Sequence, residues 1–356
     1  LANTLKRANP AYRAAHFGKW QWPQTPESFG YDASDGITQN ADGDSSDPVD
    51  PKQSFGITRR ARAFMEKQVK DGHPFYLQLS YYAVHSPPQA LASTLKKYES
   101  WAAAGGKGPW RDGRGGAAVM AAMAEDLDTC IGSVLKVVDE LRIAGSTYVF
   151  YISDNGMNSG ALKGGKTSLD EGGIRVPLVV AGPGIRGGAY RNEPAVGYDI
   201  FPTVLDFAAP GFALPKGIEG GSWKPILLNA GSGAVKRPID RMVFHIDAEV
   251  EHPQTALRKG DLKLVHYWDT KENFLYDLST DLGERRNLTG DEPDVTGRLL
   301  AELKAHVRAG LGDERFAALE SGKAQQSGDR AGREKGKGNK GGGRRKQGDG
   351  NRPPAN

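Results

Sequence analysis

Residues 147–156, Thr147-Tyr148-Val149-Phe150-Tyr151-Ile152-Ser153-Asp154-Asn155-Gly156, decide how the chain is read. The run up to Ser153 is β-branched and aromatic, and fits a buried parallel strand. It leads straight into Asp154-Asn155-Gly156. Polar groups there sit at the carboxyl end of a strand, where open α/β sheets hold their ligands. Just upstream, Met120, Met123, Leu127, Ile131, Val134, Val138 and Leu141 recur at spacings of three and four. That is one apolar helix face, and it predicts a helix over 118–144 stopped by Gly145. Cys130 inside it reads as a small buried residue, not a nucleophile. Downstream, Val176 to Ala181 is a short strand closed by Gly182-Pro183-Gly184. A helix from Asp199 to Ala208 follows, with Asp199 as its N-cap.

The same alternation extends toward the N-terminus. Residues 12–20 read as a strand entering a loop, 33–56 as an Asp-, Gly- and Ser-rich loop, and 57–71 as a helix. Pro74 to Tyr82 is an aromatic-rich strand that ends at Ala83-Val84-His85-Ser86-Pro87-Pro88, where two prolines force a loop. Helix–strand alternation predicts an α/β fold with a mostly parallel central sheet flanked by helices. After about Gly221 the pattern changes. Met242–Ile246, Ala256–Lys259 and Leu262–Trp268 read as strands, Gly260-Asp261 as a hairpin turn, and Leu299, Leu300, Leu303 and Val307 as one helix face. We expect three parts: an α/β body over 1–221, a small antiparallel sheet with a helix over 222–312, and a disordered basic tail over 313–356.

Composition agrees with that division. The 356 residues carry a formal net charge of +4 and are 38% apolar. Residues 322–356 hold ten basic and three acidic side chains, so the rest of the chain is mildly acidic. Ten glycines and no aromatic residue in that stretch leave nothing to build a core. It reads as a solvated extension, with polyanion or membrane-surface contact as the alternative. No run of about 18 apolar residues exists, so no transmembrane segment is expected. A single cysteine excludes an internal disulfide framework and multi-cysteine metal sites. The chain starts at Leu1, shows no signal peptide, and opens on what reads as the end of a helix, so we expect a fragment.

Three polar clusters fall at expected strand ends, Gly18-Lys19-Trp20, His85 and Asp154-Asn155, and a fourth, Lys163-Gly164-Gly165-Lys166, follows the third by a few residues. Asp154 and Asn155 offer hard oxygen ligands suited to Ca²⁺ or Mg²⁺, or equally an Asx turn closing the strand. Lys166 is either a point charge on a loop whose glycines admit a ligand, or part of a plain surface loop. It is not a Walker P-loop, because the six-residue spacing is absent. His85 and Lys19 are open in the same way: an anion contact or proton donor, or a solvated side chain. Taken together, two lysines, a histidine and an Asp–Asn pair in an acidic body suit an anionic ester held by cations and a divalent metal.

The order of motifs resembles the type I sulfatases, the arylsulfatase-like members of the alkaline phosphatase superfamily. The matching blocks are FGKW, PFYLQLSYYAVHSP, YVFYISDNG, LKGGKTSLDEGGIRVPLVVAGPG, DIFPTVLDFA, ALRKGDLKLV and FLYDLSTDLGERRNL, over roughly residues 2–310. The resemblance implies an alkaline phosphatase-like fold, with 1–221 as a catalytic domain lacking its N-terminal part. It implies sulfuric ester hydrolysis with Asp154 and Asn155 as ligands of Ca²⁺ (or Mg²⁺). Lys19, His85 and Lys166 would contact the sulfate, and His85 would protonate the leaving alcohol. The nucleophile would be a formylglycine in an N-terminal segment not present here, together with two further aspartate ligands. Cys130 is followed by Ile-Gly-Ser-Val and does not fit the nucleophile motif. Gln21 stands where the family commonly has histidine, and a glutamine does not shuttle protons. The expected partner is a sulfated small molecule or polysaccharide, with no specific nucleic acid. Export to the periplasm or outside the cell is expected, and the chain alone is expected to be unstable and inactive. The alternatives are a phosphodiesterase or phosphonate hydrolase of the same superfamily, or a non-catalytic anion-binding protein.

Overall fold

The computed structural model describes residues 1–103, 116–157, 160–248 and 250–322. Helix α1 (Ala2–Ala8) leads into strand β1 (Arg13–Gly18), then β2 (Ala33–Ser34), helix α2 (Ser54–Asp71) and strand β3 (Phe75–Ser80). The three strands form a parallel sheet in the order β2-β1-β3, with Ala15 opposite Leu77 and Gly18 opposite Ser80. The period of two along β1 sorts its side chains. Ala15 and Phe17 pack with Ile57 and Phe64 of α2, while Ala14 packs with Ala2 and Tyr31 on the opposite face. The expected loop at 33–56 therefore contains a short parallel strand as well as turns.

Helix α3 (Ala92–Ala103) and helix α4 (Gly116–Glu140) follow, and Val137 and Val138 of α4 pack with Met65 of α2. Helix α4 ends before Gly145. The left-handed residue at its exit is Arg142, with φ of 59°, so Gly145 is not the stop. Cys130 is buried, as a small apolar residue would be, and burial pushes its thiol up from the ordinary value.

Strand β4 (Val149–Ile152), helix α5 (Glu171–Ile174) and strand β5 (Leu178–Ala181) correct one expectation. Strand β4 is not a parallel strand buried on both faces. It pairs antiparallel with β5 in a two-stranded ribbon, with Phe150 opposite Val180 and Tyr151 opposite Val179. A parallel return needs a long crossover, usually helical. Here α5 is a single short turn, and the intervening chain is spent on a loop bound to the C-terminal sheet. Phe150, Leu178 and Val180 pack on Trp223 and Ile226. Tyr151 and Val179, on the other face, are 40% and 59% exposed.

Helix α6 (Ile200–Ala208) starts where expected, but Asp199 does not cap it through its side chain. That carboxylate is buried and accepts bonds from Arg237 (2.6 Å), Trp223 Nε1 (3.0 Å) and the Gly221 amide (2.9 Å). After helix α7 (Lys224–Leu228), strands β6 (Met242–Ile246), β7 (Gln254–Lys259), β8 (Leu262–Tyr267) and β9 (Asn273–Asp277) form an antiparallel meander. Gly260, with φ of +61°, makes the β7–β8 turn. Helices α8 (Pro293–Leu311) and α9 (Asp313–Glu320) cover one face of it. Leu299, Leu303 and Val307 of α8 and Leu319 of α9 close on Leu257, Leu264, Trp268 and Leu275. The sequence reading placed α9 in the disordered tail. The remainder of that tail, from 323 on, lies outside the described residues, as does the Gly-rich stretch 104–115. The described chain is thus a mixed α/β structure with a parallel sheet, flanking helices and a small antiparallel sheet. Among the described residues, no helix is long and apolar enough to cross a membrane.

Candidate active site

Lys19 emerges at the carboxyl end of β1, and Gly18 is the reason its backbone turns there. Gly18 has φ of +100°, and a Cβ on it would stand 2.1 Å from the Ser80 carbonyl oxygen. Only glycine fits that approach. The Lys19 amide then donates to Ser80 O (2.8 Å), joining the exits of β1 and β3. On its other side Trp20 N donates to Thr38 Oγ1 (2.8 Å), Thr38 Oγ1 donates to Gly18 O (2.8 Å), and Gly18 N donates to Asp35 Oδ2 (2.7 Å). Asp35 is held in turn by Arg60 (2.8 Å). Asp35, Thr38, Asp42, Arg60 and Tyr82 line a polar cleft of about 440 Å³, next to the turn that carries Lys19. Gln21 is exposed and left-handed (φ 55°), with its amide on Thr38 O (2.8 Å).

Asp154 and Asn155 follow β4 directly. Asp154 Oδ1 accepts from the Asn155 amide (3.0 Å), and Ser153 Oγ donates to Asn155 O (3.0 Å), so the segment is locally closed as a turn. Asp154 Oδ2 has no hydrogen-bond partner among the described residues. The turn and ligand readings are therefore compatible. The next residue fixes this turn against the Lys166 loop: Gly156 N donates to Gly173 O (2.8 Å), and a Cβ on Gly156 would meet Gly172 O at 2.1 Å. Lys166 is exposed at the crest of that loop, without a salt bridge among the described residues.

Electrostatics join three of the five residues. The Lys19 ammonium lies below its ordinary value: burial is the main cause, the Lys166 charge adds to it, and the Asp154 carboxylate opposes it. Lys19 therefore sits within the fields of both Asp154 and Lys166. His85 lies in the loop after β3, whose first turn starts beside Lys19. Its Nδ1 is 2.7 Å from Ser86 O. A carbonyl only accepts, so Nδ1 carries the hydrogen and Nε2 is the atom left to face a ligand. No hydrogen bond or ion pair joins His85 to the other four among the described residues.

Asp154 and Asn155 suit a hard divalent cation in donor chemistry, but they are two oxygen donors where such an ion takes six or more. Among the described residues, no group of three or more His, Cys, Asp or Glu is placed to hold a metal ion. Two such donors do not by themselves make a metal site.

Sequence reasoning missed the anchors of the Lys166 loop. Lys163 donates to Tyr276 Oη (2.8 Å) and pairs with Asp170 (3.0 Å). Its ammonium lies above the ordinary value: burial pulls it down, and the bonds to Tyr276 and Asp170 outweigh that. Lys263, fully buried, sits between Glu171 (2.9 Å) and Glu284 (2.8 Å). Glu171 is held below the ordinary carboxylate value against its burial, chiefly by Lys263, while burial raises Glu284. Tyr276, Lys263 and Glu284 stand far from this loop in sequence, and no local signal marks them.

Comparisons with known proteins agree with this architecture. The family described as Sulfatase matches residues 1–210, and the N-sulphoglucosamine sulphohydrolase C-terminal family matches residues 165–309. Human steryl-sulfatase is 30% identical over 220 residues, covering 56% of this chain and 34% of the relative. Human arylsulfatase A is 28% identical over 286 residues, covering 70% of this chain and 52% of the relative. The chain thus spans about half or less of the length of these curated relatives. Among solved structures, a protein in complex with its substrate D-glucosamine-2-N,6-O-disulfate superposes with a TM-score of 0.68 at 19% identity, covering 85% of this chain and 81% of that one. The PsFucS1 sulfatase from Pseudoalteromonas sp. superposes with a TM-score of 0.64 at 19% identity, covering 85% and 72%.

Proposed function

Because the chain belongs to the sulfatase family, we propose that the protein it forms part of hydrolyses sulfuric esters at the pocket shared by Lys19, Asp154 and Lys166. The observation that carries this reading is the Sulfatase family match over residues 1–210, which takes in Lys19, Asp154 and Lys166. Two ammonium groups and a carboxylate suit a sulfate monoester, whose oxygens take the lysines while the carboxylate would hold a cation. Lys19 and Lys166 bind two of the sulfate oxygens and orient the sulfur. Asp154 and Asn155 hold Ca²⁺ or Mg²⁺, which supplies positive charge to the sulfate when bound. The nucleophile is a formylglycine hydrate on a segment outside this chain.

His85 completes the departure of the alcohol. As sulfur bonds to the attacking oxygen, the sulfur–oxygen ester bond breaks, its electron pair stays on the ester oxygen, and that oxygen takes a proton from Nε2 of His85. Ser86 O keeps Nδ1 as the anchored nitrogen throughout, so Nε2 is the one that exchanges its proton. The ester is that of a sulfated small molecule or polysaccharide, and residues 33–56, which supply most of the cleft beside Lys19, bear on which one is accepted. The protein is read as exported.

Release of sulfate from an aryl sulfate by the full-length protein tests the proposal. Lys19→Ala and Lys166→Ala should each lower turnover by about 10²–10³-fold, the usual cost of removing a preorganised charge contact. Turnover unchanged in both variants, or a full-length protein that binds sulfate and never releases it from an ester, would overturn it.

A further inference from the structure

The glycine-rich loop carries two lysines three residues apart, and the structure gives them opposite surroundings. Lys166 is exposed. Lys163 is engaged on several sides: Tyr276 Oη at 2.8 Å, Asp170 at 3.0 Å, and the faces of Phe274 and Tyr276 at 5.2 and 5.0 Å. Asp170 is buried and reaches both ways, with Oδ1 on Lys163 and Oδ2 accepting from Ser168 Oγ (2.7 Å). It therefore staples the residues before Lys166 to those after it. The backbone closes the same circuit, since Gly172 N donates to Lys163 O (2.7 Å). Two further bonds fix the loop to the C-terminal sheet and the segment beyond it: Leu169 N to Gln254 Oε1 (3.1 Å) and Glu171 N to Glu284 Oε2 (2.7 Å).

We propose that Lys163 is a positioning residue: with Asp170 and Tyr276 it locks the loop to the C-terminal sheet and so aims Lys166 at the anion. This rests on the reading of Lys166 as a sulfate contact. An ammonium has three donors and no fork, so it holds an anion well only if its backbone is fixed. The stapled loop supplies that rigidity, and Lys163, spent on Asp170 and Tyr276, does not itself meet the ligand.

The test compares Lys163→Met, Lys163→Arg, Tyr276→Phe and Lys166→Met in the full-length protein. Two readouts are used: amide hydrogen exchange over residues 164–169, and affinity for inorganic sulfate. Lys163→Met should speed exchange in this loop by about tenfold or more, with Lys163→Arg restoring much of the protection. Tyr276→Phe removes no charge and lies in the C-terminal sheet, yet it should speed the same amides and weaken sulfate binding by roughly threefold to tenfold. Lys166→Met should weaken sulfate binding and leave exchange unchanged. If loop exchange is unaltered in both Lys163→Met and Tyr276→Phe, the positioning role is wrong. Should Lys163→Met not fold, Tyr276→Phe decides alone. If Lys166→Met leaves sulfate affinity untouched, or the full-length protein takes up no sulfate, the sulfate reading of Lys166 fails, and the exchange data still decide the role of Lys163.

Discussion

The two antiparallel sheets among the described residues are finished to different degrees. In the C-terminal meander, Leu257, Leu264, Leu275 and Trp268 are 0% exposed beneath α8 and α9. In the β4–β5 ribbon, Tyr151 and Val179 sit opposite each other, and are 40% and 59% exposed. Their neighbours in the same strands, Phe150 and Val180, pack on Trp223 and Ile226, so the ribbon has one covered apolar face and one bare. The residue types are alike in both sheets, and what differs is whether the chain supplies a second layer. A two-stranded ribbon has little stability of its own. Its exit loop is held through Gly156 and Gly173, and the loop carrying Gly173 is fastened to the finished sheet by Lys163, Leu169 and Glu171. Asp154 and Asn155 thus follow a strand of the less covered ribbon, and the loop carrying Lys166 is held by the better covered sheet.

That contrast is open to attack by mutation. The largest expected effect is Lys263→Met, which strands Glu171 and Glu284 together without their cation. Breaking such a buried set costs about 3–5 kcal/mol, visible in the denaturant midpoint of the C-terminal sheet. Leu264→Ala in the finished core should cost about 2–5 kcal/mol by the same measurement. Its counterpart Val179→Ala on the bare face should stay within about 0.5 kcal/mol. A comparable loss at Val179 would show the ribbon to be as closed as the meander.

The parallel sheet offers a pH test. His16 is buried beneath Trp20 and Tyr31, and burial pushes it down to about 4 from 6.5, partly offset by Asp35. Because the folded state resists the proton, the neutral imidazole's contribution is complete above pH 6.5 and falls away as the pH drops toward 4. The loss should approach roughly 3 kcal/mol at the lower end. His16→Gln should flatten that slope, whereas variants in the C-terminal meander should keep it.

Legibility in the sequence followed the range of the interactions. The β7–β8 hairpin, α2 and α8 were readable because glycine turns and apolar spacing are local. The direction of β4 was not, because parallel or antiparallel pairing depends on where the next strand lies, and the residues of β4 carry no trace of that. Asp199 reads as a helix cap by type, yet its partners Trp223 and Arg237 lie well downstream. Helix α9 was lost in a basic, glycine-rich composition that begins only after it. At the candidate site, strand-end position singled out Lys19, His85, Asp154 and Asn155, and the glycine-rich surroundings singled out Lys166. The distinction between Lys163 and Lys166 was invisible, since it depends on Tyr276, 113 residues away.

The central claim is that Lys19, Asp154 and Lys166 share one electrostatic pocket. Titrating the Lys19 side-chain nitrogen by NMR in the parent chain, Asp154→Asn and Lys166→Met tests it without requiring turnover. Loss of the Asp154 carboxylate should move the Lys19 titration further down, and loss of the Lys166 charge should move it up, the two in opposite directions from the parent. A Lys19 curve that is the same in all three proteins would contradict the account.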